Sequence, residues 1–488
     1  MSSDTVAPEV PTGSEEGQGV PAALEALLAA GDRSAGAWAT EWLAHNGLPD
    51  PTAEMWRYTP LDSIVAELGR TTTGDPTGEV EMADLDRLAG RHGSTRIVFV
   101  DGRYSSQLSD ETGRSDSAGA GSATGPLPPG VRVGPLGAIA SAEGAGGETT
   151  SDAATALLGT WAATTAESAG ADDGFSVLNA AAHNDAAVVS VPAGVAVGSP
   201  VHIVHLRTGS AEPSAATLSQ PATILDIGAG ASAQVIESHV STGPGVTNAV
   251  TRVRVGPDAH LTHVRVQDEH AEAVHVGETV IDLQRGAHLE SASLSIGAQV
   301  ARNGLSVGLN GESAVAKLSG LSILSGSQRH DTVLSIDHDS TDCRSEQDFR
   351  SVVDDRARSS FCGHVRVAHG ADGTDASQSN RNLLLSRTAQ VDTRPWLEIL
   401  ADDVKCNHGA TVGQLDDEAL FYLRSRGVPV ARATSMLVAA FVAEITERLE
   451  PESLRHAFDD AIRRLDPDVV LTTAAVRSDA ADTEEAGS

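Results

Sequence analysis

The fold prediction rests on two similar segments, AHLTHVRVQ (259–267) and AHLESASLSI (287–296). In both segments apolar residues tend to alternate with polar ones, which is typical of a strand with one buried face. An Ala-x-Val/Leu step recurs along this part of the chain, starting at Ala233, Ala259, Ala287 and Ala316, at intervals of 26, 28 and 29 residues. A period in the twenties indicates a solenoid, in which each coil buries its apolar face against the next coil.

The same pattern extends from about residue 175 to residue 412. Strand-like segments of five to seven residues are separated by Gly, Asp, Asn or Pro, and they include AAVVSV (186–191), PVHIVHL (200–206), TRVRV (251–255) and DTVLSID (331–337). Helical spacing is absent from this region, which is therefore predicted to be all-β. A β-sandwich would also repeat its strands at intervals of about 8–12 residues. The pattern favours the solenoid and leaves the sandwich open.

The rest of the chain is predicted to be helical or unstructured. Helices are indicated at 21–32, 38–47, 416–427, 430–449 and 451–465, several of which begin at Pro or Asp or end at Gly. The apolar face of 430–449 is expected to cap the end of the solenoid or to bind a partner. The predicted organisation is a disordered tail (1–20), a helical and mixed region (21–165) with a low-complexity insertion near 105–155, a β core (166–412), a helical domain (413–470) and an acidic disordered tail (471–488).

Charge and cysteine content exclude several classes of protein. The chain has 488 residues, with 67 Asp and Glu against 34 Lys and Arg, and a formal net charge of −33. Nucleic-acid binding is not expected, because phosphate contact needs clustered positive charge. Three cysteines cannot form a disulfide scaffold of this size. There is no apolar run long enough for a membrane span and no export signal, so we expect a cytoplasmic protein without membrane contact.

Common catalytic motifs are missing: the sequence has no GxxxxGK[ST], no GxSxG and no HExxH. The most informative pair is Cys406 and His408. On a strand, residues two apart project from the same face, and a thiolate beside an imidazole forms half of a soft metal site. The alternative is that Cys406 is a small buried hydrophobe and His408 a satisfied polar residue of the last coil.

Other polar residues of the β region are interpreted mainly as structural. A metal site is an alternative to cross-strand pairing on the solenoid exterior for His330, Asp331, Asp337, His338 and Asp339. Four arginines are expected to lie on the surface and to balance the charge of nearby Asp and Glu side chains: Arg344, Arg350, Arg356 and Arg358.

A longer segment carries a resemblance to a known family. CNHGATVGQL (406–415), followed by FYLRSRG (421–427), resembles the C-terminal signature of the SufB/SufD family of the Suf iron–sulfur assembly system. WRYTPL (56–61), VFVDGRYS (98–105), VLNAA (177–181) and NRNLLLS (380–386) fit the same family, so the likeness covers most of residues 50–450. The SufD branch is the better match, because SufB-type chains usually have an HEAS-like segment where this chain has HGAT (408–411).

The resemblance implies a mainly β chain with a right-handed parallel β-helix core and helical N-terminal and C-terminal regions. It implies a non-ATPase subunit, not itself an enzyme, of a SufB–SufC–SufD complex that assembles iron–sulfur clusters. The functional histidine of the family falls on His408, which is implied as the catalytic residue and metal ligand, and Cys406 is a second candidate for binding the cluster. Docking of a SufC-type ATPase on the C-terminal helices is implied for Phe421, Tyr422, Arg424, Arg426, Gly427, Leu437 and Phe441.

The resemblance also implies that no cofactor is bound stably by the chain alone and that a transient Fe–S cluster is shared with SufB. Whether the chain also forms a homodimer is left open. Two alternatives remain: a SufB-like scaffold paralogue, and a β-solenoid enzyme acting on carbohydrates, which would need a carboxylate pair in a groove.

Overall fold

The computed structural model describes residues 37–72, 80–92, 95–110, 127–143, 173–210 and 216–446. The helices predicted at 21–32 and 451–465, both predicted tails and much of the predicted low-complexity insertion lie outside these residues. Among the described helices, none is long and apolar enough to cross a membrane.

The described N-terminal part contains both helices and strands. Its elements are α1 (Ala37–Asn46), a short 3-10 helix (Glu54–Trp56), α2 (Leu61–Leu68), β1 (Thr71–Thr72), α3 (Met82–Ala89), β2 (Thr95–Val100), β3 (Arg103–Tyr104), β4 (Arg132–Pro135), α4 (Leu136–Glu143) and α5 (Gly174–Ala182).

The core that follows consists of strands only, and two helices come after it. The strands are β5 (Ala186–Val191), β6 (Val201–Arg207), β7 (Ala216–Ser219), β8 (Ala222–Ile227), β9 (Ser232–Ser241), β10 (Gly245–Val255), β11 (His260–Asp268), β12 (Ala273–Leu283), β13 (His288–Ser295), β14 (Val300–Leu309), β15 (Val315–Leu324), β16 (Arg329–His338), β17 (Arg344–Val353), β18 (Arg358–Val367), β19 (Thr374–Leu384), β20 (Gln390–Ile399) and β21 (Val404–Gln414). The helices are α6 (Asp417–Ser425) and α7 (Val430–Thr446).

From β8 onward the chain alternates between two sheets, so that each coil adds one strand to each sheet. Sheet A has the order β20-β18-β16-β14-β12-β10-β8-β5-β4, and sheet B has the order β21-β19-β17-β15-β13-β11-β9-β6-β2-β3. Neighbouring core strands are parallel and in register: Leu261 of β11 lies opposite Leu289 of β13. The predicted parallel β-solenoid is confirmed, with about seven turns.

A column of small buried residues marks one corner of five successive coils. It runs through Ala231, Ala259, Ala287, Ala314 and Cys343, all fully buried, and the carbonyl of each accepts a hydrogen bond from the strand of the next coil. The residue before each is in the left-handed region, for example Gly286 with φ of 64°. The predicted repeat was therefore correct at its two central alanines and wrong at its ends. Ala233 and Ala316 lie two residues further along, in register with leucines of β11 and β13.

The interior between the sheets is apolar at one end of each strand and polar at the other. In β11 the interior positions are Leu261, His263, Arg265 and Gln267, all buried. The apolar ends form one continuous cluster through the coils, whereas the polar ends bond to one another, as buried polar groups must. From β9 onward the strands have 8 to 11 residues. The predicted strands of five to seven residues were too short, because each strand continues from the apolar half of the interior into the polar half.

The outer faces of the two sheets are covered by the terminal segments. Trp56 and Phe175 stack 5.2 Å apart over the outer face of sheet A, where they pack with Val276. On sheet B, the buried face of α7 packs through Val438 and Val442 on apolar residues of the solenoid. Burial of one such side chain contributes about 2 kcal/mol.

Two expectations about this outer surface were wrong. Helix α7 lies along the side of sheet B and not across the end of the solenoid, because the outward positions of β13, β15 and β17 include apolar residues that need cover: Leu294, Leu321 and Val352. Arg350 does not pair on an open surface. It is buried beneath α7, with Asp348 3.0 Å away and the ring of Phe441 5.5 Å from its guanidinium.

Candidate functional site at the open end of the solenoid

The last coil consists of β20 and β21, and among the described residues no further strand pairs with either of them on the free side. In every earlier coil the interior-facing residues are covered by the next coil. In this last coil the same kind of residues are left at the surface. An open end of a solenoid is unusual, because exposed strand edges are normally covered.

His408 lies in the middle of β21 on the face directed to the interior of the solenoid. It is opposite Gln378 of β19, which is opposite Gln347 of β17, and both glutamines are buried between the sheets. Register partners in a parallel sheet share a face, so His408 continues this interior column. It is nevertheless exposed, because no further coil follows within the described residues. The structure therefore presents an imidazole at the open end of the interior.

Cys406 lies two residues before His408 on the same face of β21, opposite the buried Ala376. It is half-buried and packs against the apolar core cluster. Burial raises the pKa of its thiol, and the nearby Asp375 carboxylate acts in the same direction. The two Cα atoms are about 6.6 Å apart, as expected for residues two apart on a strand. One thiol and one imidazole are thus presented side by side.

Apolar side chains are also exposed at this end of the solenoid. Val412, Ile399 and Leu400 expose 47%, 41% and 40% of their surface. In β20, Leu397 lies opposite the buried Val365 and is itself only half-buried. The surface has the residue pattern of an internal coil, so it is suited to contact with another apolar layer.

The other two cysteines have structural positions. Cys343 is fully buried in the column of small residues, and Cys362 is buried on the outer face of sheet A, in register with Arg394. Burial raises the pKa of both thiols. Within the part of the chain that the structure describes, no group of three or more His, Cys, Asp or Glu side chains could hold a metal ion. Cys406 and His408 therefore cannot complete a metal or cluster site without ligands from elsewhere.

The predicted exterior position of two histidines was wrong. His330 and His338 are buried in the interior of the solenoid, where His330 Nε2 is 2.8 Å from the carbonyl oxygen of residue 297. Both histidines lie in the polar half of the interior. The alternation of residues along a strand does not predict that such a polar half exists. Asp337 and Asp339 do lie on the outside, where both pair with the guanidinium of Arg366, at 2.5 and 2.7 Å.

A buried cluster of imidazoles surrounds one carboxylate and was not predicted from the sequence. Nε2 atoms of His205, His239 and His263 lie 3.3 to 3.5 Å from the oxygens of Glu237. Burial alone would raise the pKa of Glu237, but the three imidazoles outweigh it and hold that pKa well below its usual range. Burial lowers the pKa of His239 to about 4. The available signal was the i, i+2 spacing of Glu237 and His239 on one strand.

The residues implied as a partner contact fall into two groups. Helix α6 has no buried residue; Phe421 and Tyr422 expose 72% and 54% of their surface, and Arg424, Arg426 and Gly427 are exposed as well. The guanidinium of Arg426 lies over the Tyr422 ring, 4.1 Å from its centroid. Leu437 and Phe441 are only half-exposed on α7, and Phe441 also packs on the solenoid.

Comparison with known proteins agrees with this architecture. Residues 208–441 match the family model described as SUF system FeS cluster assembly, SufBD core domain. The chain is 33% identical to the iron–sulfur cluster assembly protein SufD of Escherichia coli, over 85% of this chain and 88% of that protein. It is 29% identical to an iron–sulfur cluster assembly SufBD family protein of Synechocystis, over 86% and 87% of the two chains. The chain therefore belongs to the SufB/SufD family of iron–sulfur cluster assembly proteins.

Proposed function

We propose that this SufD-like protein is a non-ATPase subunit of a cytoplasmic SufB–SufC–SufD complex, and that the open last coil is the surface that meets the SufB-type subunit. The single observation that carries the proposal is the uncovered coil itself. β20 and β21 present the residue pattern of an internal coil at the surface, with exposed Val412, Ile399 and Leu400. A second β-solenoid would cover these residues with a surface of the same kind.

In this proposal His408 acts on the nascent cluster, which is the cargo of the complex. An ordinary iron–sulfur cluster has four cysteine ligands, whereas this end of the chain offers one thiol, Cys406, and one imidazole. The remaining ligands would come from the SufB-type chain. The cluster is then shared across the interface and is not retained by this chain alone.

Helix α6 is proposed as the docking site for a SufC-type ATPase. No residue of this helix is fully buried, and exposed aromatic residues such as Phe421 and Tyr422 are typical of a partner-binding surface. The sequence has no GxxxxGK[ST] motif. ATP hydrolysis would therefore be supplied by the docked subunit, and this chain alone would have no enzymatic activity.

Co-expression with the SufB-type and SufC-type chains of the same organism tests the complex, and site-specific photocrosslinking tests the interface. A photoreactive amino acid at position 412 is expected to crosslink to the SufB-type chain. The matched control is position 290, where Glu290 is exposed on the outer face of sheet B, away from the open end. Failure of the three chains to co-purify would reject the complex. Crosslinking from position 290 but not from position 412 would reject the assigned surface.

A further inference from the structure

The interior column that ends at His408 contains an unusual buried amide. Gln378 is only 2% exposed, and its carbonyl oxygen Oε1 is fully covered yet has no hydrogen-bond partner. A buried polar atom without a partner costs about 1–3 kcal/mol. Such an atom beside a proposed reactive residue therefore needs an explanation.

The amide nitrogen of Gln378 has a well-defined role. Its Nε2 donates to Oε1 of Gln347 at 3.1 Å, and Nε2 of Gln347 in turn donates to Oγ of Ser345 at 2.9 Å. Ser345 Oγ lies 2.8 Å from Nε2 of the fully buried His338. These contacts come from the preceding coils and fix the orientation of the Gln378 amide.

The two glutamines form a short amide ladder along the axis of the solenoid. Gln347 and Gln378 are register partners, and each Oε1 in such a ladder accepts from the residue one coil further on. The residue one coil beyond Gln378, in the same register, is His408. On the opposite sheet, Gly363 packs so closely against the amide that an added Cβ atom would lie 2.5 Å from Gln378 Nε2.

We propose that Gln378 is a positioning residue for His408: its unpartnered Oε1 accepts the N–H of one ring nitrogen of His408, so that the imidazole becomes the third member of the ladder. The inference deepens the proposed function and rests on it for its biological meaning. A hydrogen bond to one ring nitrogen selects the tautomer and leaves the other nitrogen free. The free nitrogen would face the open end, where it can bind iron or exchange a proton.

Nuclear magnetic resonance of the full chain, labelled with ¹⁵N in the histidine rings, tests the contact directly. The His408 signals are assigned by their loss in His408→Gln. One His408 tautomer is expected to dominate in the unaltered protein. In Gln378→Met, which keeps the side-chain length but removes the acceptor, the minor tautomer is expected to increase at least threefold. In the complete complex, cluster formation should slow by about tenfold, as for the loss of other residues that orient a ligand.

The matched control is Asn382→Leu. Asn382 is also buried on β19 and bonds to β21 by donating to the carbonyl oxygen of Thr411 (3.1 Å), but it is outside the column of His408. If Gln378→Met is folded by circular dichroism and leaves the tautomer ratio unchanged, the proposal is wrong. An equal change in Asn382→Leu would also overturn it, since that would show a general loosening of the last coil.

The hydrogen bond and the proposed function of His408 are tested separately. If Gln378→Met changes the tautomer of His408 but His408→Ala leaves cluster formation at the normal rate, the hydrogen bond stands and the function proposed for His408 is rejected.

Discussion

The interior histidines predict that the solenoid loses stability as the pH falls below about 6.5. Burial lowers the pKa of His239, His330 and His338 to about 4, from an ordinary value of 6.5. Above pH 6.5 each imidazole is neutral in both the folded and the unfolded chain. Between pH 6.5 and pH 4 the unfolded chain binds protons that the folded chain does not, so acid favours unfolding. Stability is therefore present at neutral pH and is lost on the acid side.

His239 alone gives the size of the expected loss in the free energy of unfolding. A pKa lower by about 2.5 pH units corresponds to about 3 kcal/mol when the pH has fallen to 4. Between pH 7 and pH 5 the loss is about 2 kcal/mol. The groups that face His239 are Glu237, His205 and His275. Glu237 stays ionised over this range because its own pKa is held well below the usual one.

Urea unfolding at pH 7 and at pH 5 measures this loss. His239→Gln keeps a polar side chain of similar length but cannot take up a proton, so its free energy of unfolding should fall by about 2 kcal/mol less than that of the unaltered chain. The control is His369→Gln, at an exposed position, which should behave like the unaltered chain. If His239→Gln and the unaltered chain lose the same free energy of unfolding between the two pH values, the lowered pKa of His239 is not a cause of the acid destabilisation.

Three further predictions concern packing, capping and docking. Gly320→Val should destabilise the chain by about 1–3 kcal/mol in thermal unfolding, because a Cβ there would lie 2.4 Å from an aromatic ring of the next coil. The control Gly409→Ala should be neutral, because a Cβ there would have no atom within 4 Å. Equal effects of the two substitutions would contradict this packing. Asp416→Ala removes the acceptor for the amides of residues 418 and 419 and should cost α6 about 1 kcal/mol, seen as faster amide hydrogen exchange confined to that helix; unchanged exchange would argue against the cap. Replacing Phe421 and Tyr422 together by Ala should weaken binding of the SufC-type ATPase at least tenfold in calorimetry without changing the melting temperature of the chain alone; unchanged affinity would place the docking site elsewhere.

The fold was predictable from sequence because its apolar half repeats. The alternation in AHLTHVRVQ and AHLESASLSI indicates which face of β11 and β13 is buried. The period of the small residues indicates the length of one coil. The exact register could not be read, because Ala231 and Ala233 both face the interior. Residues two apart share a face, so a shift of two leaves the alternation unchanged.

The polar half of the interior could not be predicted from the same pattern. Alternation assigns polar residues to the outside, whereas Glu237, His239 and His338 are buried because they bond or lie close to one another and to neighbouring coils. The register that places His408 opposite Gln378 could not be predicted either, since it depends on the length of the turns between the two strands. What spacing did indicate was that Cys406 and His408 share one face of a strand.

The rate of cluster formation on the intact complex shows whether the exposed imidazole of His408, at the open end of the solenoid, takes part in cluster assembly. His408→Ala is compared with Asn407→Ala, the adjacent residue of β21, which projects from the opposite face. We expect both variants to co-purify with the partner subunits and only His408→Ala to form clusters at least tenfold more slowly. Equal rates in the two variants would contradict the role of His408 and leave this chain a purely structural subunit.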